Sequence, residues 1–332
     1  MRPFQYTKAK DANTAVQTVA ANANSQFLAG GTNLIDLMKE DVARPVELVD
    51  ITRLNLTQIG TVAGSGNLSI GALAKNSDTA NHPLVRQNYP LLTQAILAGA
   101  SGQIRNMATN GGNLNQRTRC PYFYDTAMPC NKREPGSGCG AIAGINRNHA
   151  IFGWSEQCVA VYPSDMAIAL AALDPIVQVQ RSDGTVRSIA FTNYHRLPEN
   201  NPEKDNNLDR GELVTAIELP RNNFAAKSHY LKVRDRSSYA FALVSVAVAL
   251  ETSGNTVNQV RIAMGGVAHK PWRATAAETF LAGKAATEAN FLAAAEAEMR
   301  NAKPLEHNAF KVELGKRMIV RALIQAMGSD RA

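Results

Sequence analysis

The sequence predicts an α/β domain followed by a smaller α+β domain, and three observations support this prediction. Short apolar strands and helices alternate over the first hundred residues, which is typical of α/β structure. A polar break at residues 220–226 follows a predicted strand and marks the domain boundary. Beyond the break, extended apolar segments come first and helical segments follow, as in an α+β unit. A length of 332 residues fits two domains, at roughly 100–200 residues per domain.

In the first domain, strands are predicted at short apolar runs bounded by Gly, Asn or Asp, and helices at apolar segments that follow Ser, Asp or Pro. The predicted strands are 27–29, 46–50, 67–71, 176–181, 185–189 and 213–219, and the predicted helices are 34–38, one capped at Ser77 and Asp78, 90–97 and 164–173. Residues 98–153, rich in Gly, Asn and Pro, are predicted to be loop, and a loop of this length normally has a function or a separate source of order. Residues 198–211 are polar, and we expect them to be mobile.

The second domain is predicted to be one antiparallel sheet accompanied by helices. Its predicted strands are 230–234, 241–250 and 257–264, and its predicted helices are 275–281, 290–299 and 308–327.

Composition excludes several classes of protein. With 45% hydrophobic and 19% charged residues, the chain has enough apolar material for real cores. Its longest apolar run, residues 239–250, is shorter than the about 18 residues that a membrane-spanning helix needs, so we expect no membrane span. The net charge of +7 is scattered and aromatic residues make up 6%, so we expect no binding to nucleic acid. The N-terminus lacks an apolar signal region and a twin-arginine pair, so we expect the chain by itself to stay in the cytoplasm.

The four cysteines of the chain are clustered in the sequence. They are Cys120, Cys130, Cys139 and Cys158, with the spacing C-x9-C-x8-C-x18-C. Two disulfides usually indicate a smaller secreted domain. Structural zinc usually shows short C-x2-4-C pairs, which are missing here. An iron–sulfur cluster also takes four thiolates, with more variable spacing. The spacing alone therefore predicts a metal site without fixing the metal.

Basic residues are in excess around the cysteines, where the only acids are Asp125 and Glu134. The basic residues are Arg105, Arg117, Arg119, Lys132, Arg133 and Arg147. This excess favours a bound anion, such as a thiolate-ligated cluster. Four histidines are also candidate ligands, namely His149, His195, His229 and His269. None of them has an i, i+4 partner, so we expect each to be a surface or hydrogen-bonded structural histidine.

Two Gly-Gly turns are candidates for binding phosphate. Ala29-Gly30-Gly31-Thr32-Asn33-Leu34 lies where a strand ends and a helix begins, and Thr109-Asn110-Gly111-Gly112-Asn113 comes about eighty residues later. Glycines there leave backbone N–H groups free to point at phosphate oxygens. The first turn lacks the G-x-G-x-x-G pattern and the P-loop lysine, so it indicates neither a Rossmann nucleotide site nor an NTPase. Either turn alone is also compatible with an ordinary tight turn, whereas the two together could hold a diphosphate from two sides.

The chain contains, in this order, the two Gly-Gly turns, Pro163-Ser164-Asp165-Met166-Ala167, Tyr230-Leu231-Lys232-Val233-Arg234 and the segment 240–247. With these motifs in this order, the sequence resembles the FAD-binding medium subunits of the molybdenum hydroxylases over nearly the whole chain. The resemblance implies a two-lobed FAD-binding domain of the PCMH type at 1–222 and, at 223–332, an α+β domain of the CO dehydrogenase flavoprotein type that closes over the flavin.

The resemblance also implies which residues bind FAD. They are Phe27, Leu28, Ala29, Gly30, Gly31, Thr32, Asn33, Leu34, Thr109, Gly111, Gly112, Asn113, Asp165 and Lys232. In the family, the matching aspartate approaches the ribityl chain or ring of the flavin, and the lysine lies beside the isoalloxazine. Without the resemblance, Asp165 could equally be a helix N-terminal charge and Lys232 part of a solvated strand face.

An insertion at about 115–160 departs from most of the family. It resembles that of the bacterial periplasmic aldehyde oxidoreductase flavoproteins, which carry a [4Fe-4S] cluster there, and a similar cluster occurs in 4-hydroxybenzoyl-CoA reductase. The resemblance implies that Cys120, Cys130, Cys139 and Cys158 hold such a cluster.

The same resemblance implies partners: a large subunit with a molybdenum cofactor that oxidises aldehydes, a small subunit with [2Fe-2S] clusters, and an external electron acceptor. It further implies a heterotrimer that is exported to the periplasm with a signal-bearing partner. Two alternatives stay open at this point. One is a non-redox scaffold with structural zinc, and the other is a stand-alone flavin oxidase.

Overall fold

A computed structural model describes residues 1–328 and places a small parallel sheet at the N-terminus. The first elements are β1 (Gln5–Lys8), α1 (Ala12–Ala21), β2 (Ser25–Leu28), α2 (Leu34–Lys39) and β3 (Glu47–Asp50). The strand order is β1-β3-β2, and both pairings are parallel. Asp11 caps α1 by accepting a hydrogen bond from the Thr14 backbone N–H at 2.8 Å.

A five-stranded antiparallel sheet forms the second lobe, and short helices lead into it. The elements are β4 (Ile59–Thr61), β5 (Leu68–Gly71), α3 (Asn76–Asn81), α4 (Pro83–Asn88), α5 (Pro90–Ala98), α6 (Gly102–Met107), α7 (Asn110–Leu114), α8 (Pro121–Tyr124), α9 (Asp165–Leu173), β6 (Ile176–Gln180), β7 (Val186–Ala190) and β8 (Leu213–Leu219). The strand order is β4-β5-β8-β6-β7, with all pairings antiparallel. The predicted hairpin is confirmed as β6 and β7.

A four-stranded antiparallel sheet and three helices form the C-terminal part. The elements are β9 (Ser228–Val233), β10 (Val244–Ser253), β11 (Thr256–Gly265), β12 (Trp272–Arg273), α10 (Thr275–Leu281), α11 (Glu288–Met299) and α12 (Phe310–Ala326). The strand order is β12-β11-β10-β9. Together with the preceding lobes, this arrangement confirms the predicted α/β plus α+β fold.

Strand β10 joins the two main cores because its two faces alternate. Val246 and Val248 share a core with Phe291 and Ile319 of the C-terminal helices. Ala247 and Ala249 belong instead to the core that contains α9. Every residue of α9 is buried, and Ser164 caps its start by accepting from the Ala167 N–H at 3.0 Å. The C-terminal sheet is therefore packed against α9.

The prediction of loop over residues 98–153 is wrong in part. Three short helices, α6, α7 and α8, lie within this stretch. Ser101 caps α6 and Thr109 caps α7, so capping residues were the sequence signal that the abundance of glycine obscured. Among residues 1–328, none of the helices combines the length and the apolar character that crossing a membrane requires.

Candidate functional site

A large cavity of about 1590 Å³ lies where the three sheets meet, with side chains from β2, β8, β9 and β10 in its wall. All of the residues predicted to bind FAD line it except Leu28. Leu28 is instead the last residue of β2 and pairs with Asp50 of β3. The structure thus brings the two Gly-Gly turns, Asp165 and Lys232 around one space.

The first Gly-Gly turn makes a close backbone contact that only glycine allows. A Cβ on Gly30 would lie 2.0 Å from the carbonyl oxygen of Met107, just before the second turn. Gly31 has a φ of +70°, which side chains other than glycine rarely adopt. Asn33 accepts from the Arg117 N–H at 2.9 Å, but its buried Nδ2 has no partner among the described residues. This amide is therefore a donor available to a ligand in the cavity.

The second Gly-Gly turn is the first part of helix α7 rather than an open loop. The Thr109 hydroxyl accepts from the Gly112 N–H at 3.2 Å. Asn113 donates to Asn76 Oδ1 at 2.7 Å and accepts from the Ser164 hydroxyl at 2.5 Å. Because Ser164 also caps α9, the second turn and the start of α9 are held in one hydrogen-bonded unit.

A buried ion pair joins α9 to the C-terminal sheet at the cavity. Lys232 Nζ lies 2.8 Å from Asp165 Oδ2, and the two side chains are 4% and 8% exposed. Lys232 also donates to the Ala98 carbonyl at 3.1 Å. Tyr230 donates to Asp165 Oδ1 at 2.6 Å, and burial followed by the Asp165 charge raises the pKa of this phenol well above its ordinary value. Tyr230 was not among the site residues predicted from the sequence, although its position two residues before Lys232 places both on one face of β9.

These features fit a flavin dinucleotide. The free Asn33 amide of the first turn offers a neutral N–H donor of the kind that a diphosphate needs. In the second turn, contrary to the expectation from its glycines, the Gly111 and Gly112 N–H groups already donate to the Ala72 carbonyl and the Thr109 hydroxyl. The Asp165–Lys232 pair offers fixed charges of both signs at the boundary of the two domains. The first turn would hold the diphosphate, and the ion pair would lie next to the part of the ligand that reaches the C-terminal domain.

All four cysteines line a second, smaller cavity, together with apolar residues such as Phe123. They reach it from separate parts of the insertion. Cys120 precedes α8, Cys130 and Cys139 pair across a short antiparallel bridge, and Cys158 closes a turn with Ser155. The structure therefore brings together residues that are up to 38 positions apart (158 − 120) in the chain. All four are free thiols, which excludes the two-disulfide alternative for this structure.

Without a bound metal, two of the cysteines are held as protonated thiols. Burial raises the pKa of Cys120 to about 12 and that of Cys158 to about 11, so both are protonated thiols near neutral pH unless a metal binds. Within residues 1–328, no three Cys, His, Asp or Glu side chains converge in the way that one metal ion requires. A single zinc needs its sulfurs around one point. A cubane instead takes each thiolate at a different iron, so its ligands lie further apart.

The basic residues of the insertion already have protein partners, contrary to the expectation that they favour a bound anion. Arg117 and Lys132 lie 2.7 Å and 2.6 Å from Asp205, and Arg119 lies 2.9 Å from Asp36. The remaining contacts are Arg147 with Asp235 at 2.9 Å, and Arg133 and Arg105 with backbone carbonyls. The charge excess therefore fixes the insertion to the rest of the protein, and it gives no independent support for a cluster.

Three of the histidines predicted to be structural make side-chain contacts that bear on this prediction. His195 Nε2 lies 2.9 Å from the Leu114 carbonyl, and His269 Nδ1 lies 2.9 Å from the Arg196 carbonyl, as expected of structural histidines. His149 is different, because its Nε2 lies 3.1 Å from Cys120 Sγ. No spacing pattern in the sequence pairs these two residues, so only the fold reveals the contact.

Comparison with known proteins agrees with this geometry. Residues 2–222 match the family described as FAD binding domain in molybdopterin dehydrogenase, and residues 229–326 match CO dehydrogenase flavoprotein C-terminal domain. The chain is 46% identical to the aldehyde oxidoreductase FAD-binding subunit PaoB of Escherichia coli over 98% of this chain and 99% of that one. It is 30% identical to the glyceraldehyde dehydrogenase medium chain of Sulfolobus acidocaldarius, over 85% and 82% of the two chains.

Solved structures agree on the fold. A carbon monoxide dehydrogenase chain from Hydrogenophaga pseudoflava superposes with a TM-score of 0.76 and 26% identity, over 98% of both chains. One from Oligotropha carboxidovorans gives a TM-score of 0.77 at 22% identity, over 99% of both. Two matched domains in order, a full-length relative at 46% identity and a shared fold lead to one conclusion. The chain belongs to the family of FAD-binding medium subunits of the molybdenum hydroxylases.

Proposed function

We propose that this chain is the electron-transfer subunit of a molybdenum-dependent aldehyde oxidoreductase, and that it holds FAD and a [4Fe-4S] cluster. It receives electrons from [2Fe-2S] clusters of a small partner subunit and delivers them to an external acceptor. A large partner with the molybdenum cofactor oxidises aldehydes to carboxylic acids. Bound FAD supplies the exchange between one-electron and two-electron carriers.

The observation that carries this proposal is the contact between the two cavities. Thr118 and Cys120 line both the large cavity and the cavity of the four cysteines. The two cavities therefore share part of their wall. Redox groups held in adjoining cavities would support electron transfer between them, and a structural metal would not need such a shared wall.

The cysteine cavity has the ligand set that the proposed cluster needs. Its four thiols come from separate parts of the insertion and share one space. Apolar neighbours such as Phe123 and Ala141, both fully buried, would keep water away from a cluster and so influence its potential.

The two relatives described above support the proposal that the complex oxidises aldehydes and contains partner subunits. Both relatives described above are named for aldehyde oxidation, and one of them is named as a medium chain. The flavin site of this chain is built from binding groups, namely glycine turns, amides and an ion pair. We therefore place aldehyde oxidation in the large partner and propose a heterotrimer.

The location of the complex is a separate proposal. We propose that the chain folds and assembles in the cytoplasm and reaches the periplasm by export with a signal-bearing partner. Cell fractionation tests it, with enzyme activity and antibody against this chain as readouts. Recovery of the complex in the periplasmic fraction is expected. Recovery in the cytoplasmic fraction alone contradicts export.

The experiment that tests the proposed function compares the isolated chain with the complex. Under anaerobic conditions, an aldehyde should bleach the flavin absorption of the complex and leave that of the isolated chain unchanged. Ferricyanide should then restore the oxidised spectrum. Bleaching of the isolated chain by aldehyde would instead indicate a stand-alone flavin oxidase. A complex without flavin or iron, but with zinc, would indicate a non-redox scaffold.

A variant of the cluster site adds a second arm to this test. Cys130→Ser removes a thiolate from the smaller cavity and should abolish iron binding while FAD remains bound, because the FAD cavity does not contain Cys130. Met128→Leu, at an exposed residue of the same insertion, should retain the iron of the wild-type chain. Equal iron contents in both variants contradict the assignment of the cysteines.

A further inference from the structure

His149 contacts a predicted cluster ligand from the side of the flavin cavity. Its Nε2 lies 3.1 Å from Cys120 Sγ, and the residue is 3% exposed. His149 lines the large cavity, whereas Cys120 lines both cavities. The pair therefore occupies the wall between the two proposed redox groups.

The C-terminal domain fixes the position of this histidine. Asn308 Nδ2 donates to the His149 carbonyl at 3.1 Å, and Lys311 Nζ donates to the same carbonyl at 2.9 Å. Both donors are fully buried. The His149 N–H donates to the Asn146 carbonyl at 3.0 Å. With its backbone held at both ends, the imidazole has little freedom to leave Cys120.

The direction of the hydrogen bond follows from the geometry around the ring. Its Nδ1 is buried and has no partner among the described residues. A metal-bound thiolate can only accept a hydrogen bond. The proton therefore belongs on Nε2, facing Cys120 Sγ.

We infer that His149 is a positioning residue that donates an N–H···S hydrogen bond to Cys120 and so raises the reduction potential of a cluster held by the four cysteines. This inference rests on the proposed function, because it requires the cluster. The physical reason is that reduction adds negative charge to the cluster and its sulfurs. A hydrogen bond to a ligand sulfur stabilises the reduced state more than the oxidised state.

A redox titration of the full chain tests the inference. Anaerobically purified wild-type, His149→Leu, His149→Gln and Tyr122→Phe proteins are titrated, and the reduced cluster is measured by EPR. In His149→Leu, the ratio of reduced to oxidised cluster at a fixed potential should fall about tenfold, equal to a midpoint about 59 mV lower. His149→Gln should recover part of this loss, because its amide can donate to the sulfur.

Tyr122→Phe is the matched control in the same pocket. The Tyr122 ring packs 6.1 Å from the His149 ring, and its hydroxyl accepts from the Ile145 N–H at 2.7 Å. Removing this hydroxyl perturbs the pocket without removing a donor to sulfur, so the midpoint should stay at the wild-type value. An equal shift in Tyr122→Phe and His149→Leu would contradict a specific hydrogen bond.

A second measurement covers the case in which His149→Leu does not retain the cluster. Wild-type protein labelled with ¹⁵N-histidine should show a weak ¹⁵N coupling to the reduced cluster in pulsed EPR, and His149→Gln should lack it. An unchanged midpoint in a fully loaded His149→Leu protein, or no ¹⁵N coupling in the wild type, overturns the role of His149 alone. Wild-type protein without iron and sulfide overturns the cluster as well.

Discussion

Lys132 Nζ lies 2.6 Å from Asp205 Oδ1, and the Lys132 side chain is fully buried. Arg117 contacts the other carboxylate oxygen of Asp205 at 2.7 Å. Although burial opposes ionisation, Arg117 and Lys132 hold the pKa of Asp205 well below its usual range. One carboxylate thus fixes residues 198–211, expected to be mobile, onto the cysteine-bearing insertion.

Asp205→Asn should destabilise the protein strongly. It leaves the buried Lys132 charge without its anion, and breaking a buried pair typically costs about 3–5 kcal/mol. Glu199→Gln is the control, because its ion pair with Arg196 in the same segment is exposed and 3.8 Å long, and such pairs contribute about 0–1 kcal/mol. The measurement is denaturant unfolding of both variants. Similar losses would show that Asp205 does not organise the insertion.

Asp165 and Lys232 should behave as one energetic unit. Lys232→Met leaves a buried carboxylate that keeps its hydrogen bond from Tyr230 but loses its cation, so we expect a loss of stability of about 3–5 kcal/mol and release of flavin. Asp165→Asn combined with Lys232→Met should cost less than the sum of the two single changes. A double-mutant cycle of unfolding free energies checks this prediction, and additive effects would refute it.

Gly30→Ala should weaken FAD binding because the new methyl group would lie 2.0 Å from the Met107 carbonyl oxygen. Separating the two turns at a typical overpacking cost of about 1–3 kcal/mol would lower the affinity by about fivefold to more than a hundredfold. In Gly102→Ala, the methyl group meets nothing within 4 Å, so FAD binding should be unchanged. Flavin titration of the apoprotein variants compares them. Equal affinities would mean that the contact between the turns does not shape the site.

Lys311 should give the stability a distinct pH dependence. Burial, followed by the Arg147 charge, lowers its pKa to about 7, and the neutral amine still has two N–H groups for the carbonyls of His149 and Gly266. In the unfolded chain the pKa is about 10.4. Between about pH 7 and 10 the unfolded state therefore binds more protons, and the unfolding free energy rises with pH by up to about 1.4 kcal/mol per unit.

The check is unfolding at pH 7, 8 and 9 for the wild type and two variants. Lys311→Met should lose this rise. Lys316→Met should keep it, because Lys316 lies on the same helix but is partly exposed and paired with Glu313 at 2.8 Å. A wild-type slope in Lys311→Met would show that another group is responsible.

Local signals in the sequence predicted much of the fold. The Gly30–Gly31 pair marked the end of β2, Ser164 marked the start of α9, and extended apolar segments marked the C-terminal strands. These features depend on neighbours in the chain, so their patterns are visible in the sequence. The first two also identified parts of the cavity wall.

Features that depend on distant residues were not predictable in this way. Asp205 reaches Lys132 across 73 positions, and Tyr230 reaches Asp165 across 65. Cys120 and His149 are 29 positions apart and meet where Asn308 and Lys311, from the C-terminal domain, hold the His149 backbone. Such contacts are created by packing between elements, and no periodicity in a single sequence records them.

The most direct test of the account is a cofactor analysis of the full chain purified without oxygen. Absorption spectroscopy gives the flavin content, and chemical assays give iron, zinc and acid-labile sulfide. We expect one FAD with about four irons and four sulfides per chain, as a [4Fe-4S] cluster on four cysteines requires. Flavin with zinc and no iron would contradict the cluster, and a chain that binds neither flavin nor iron would contradict the whole assignment.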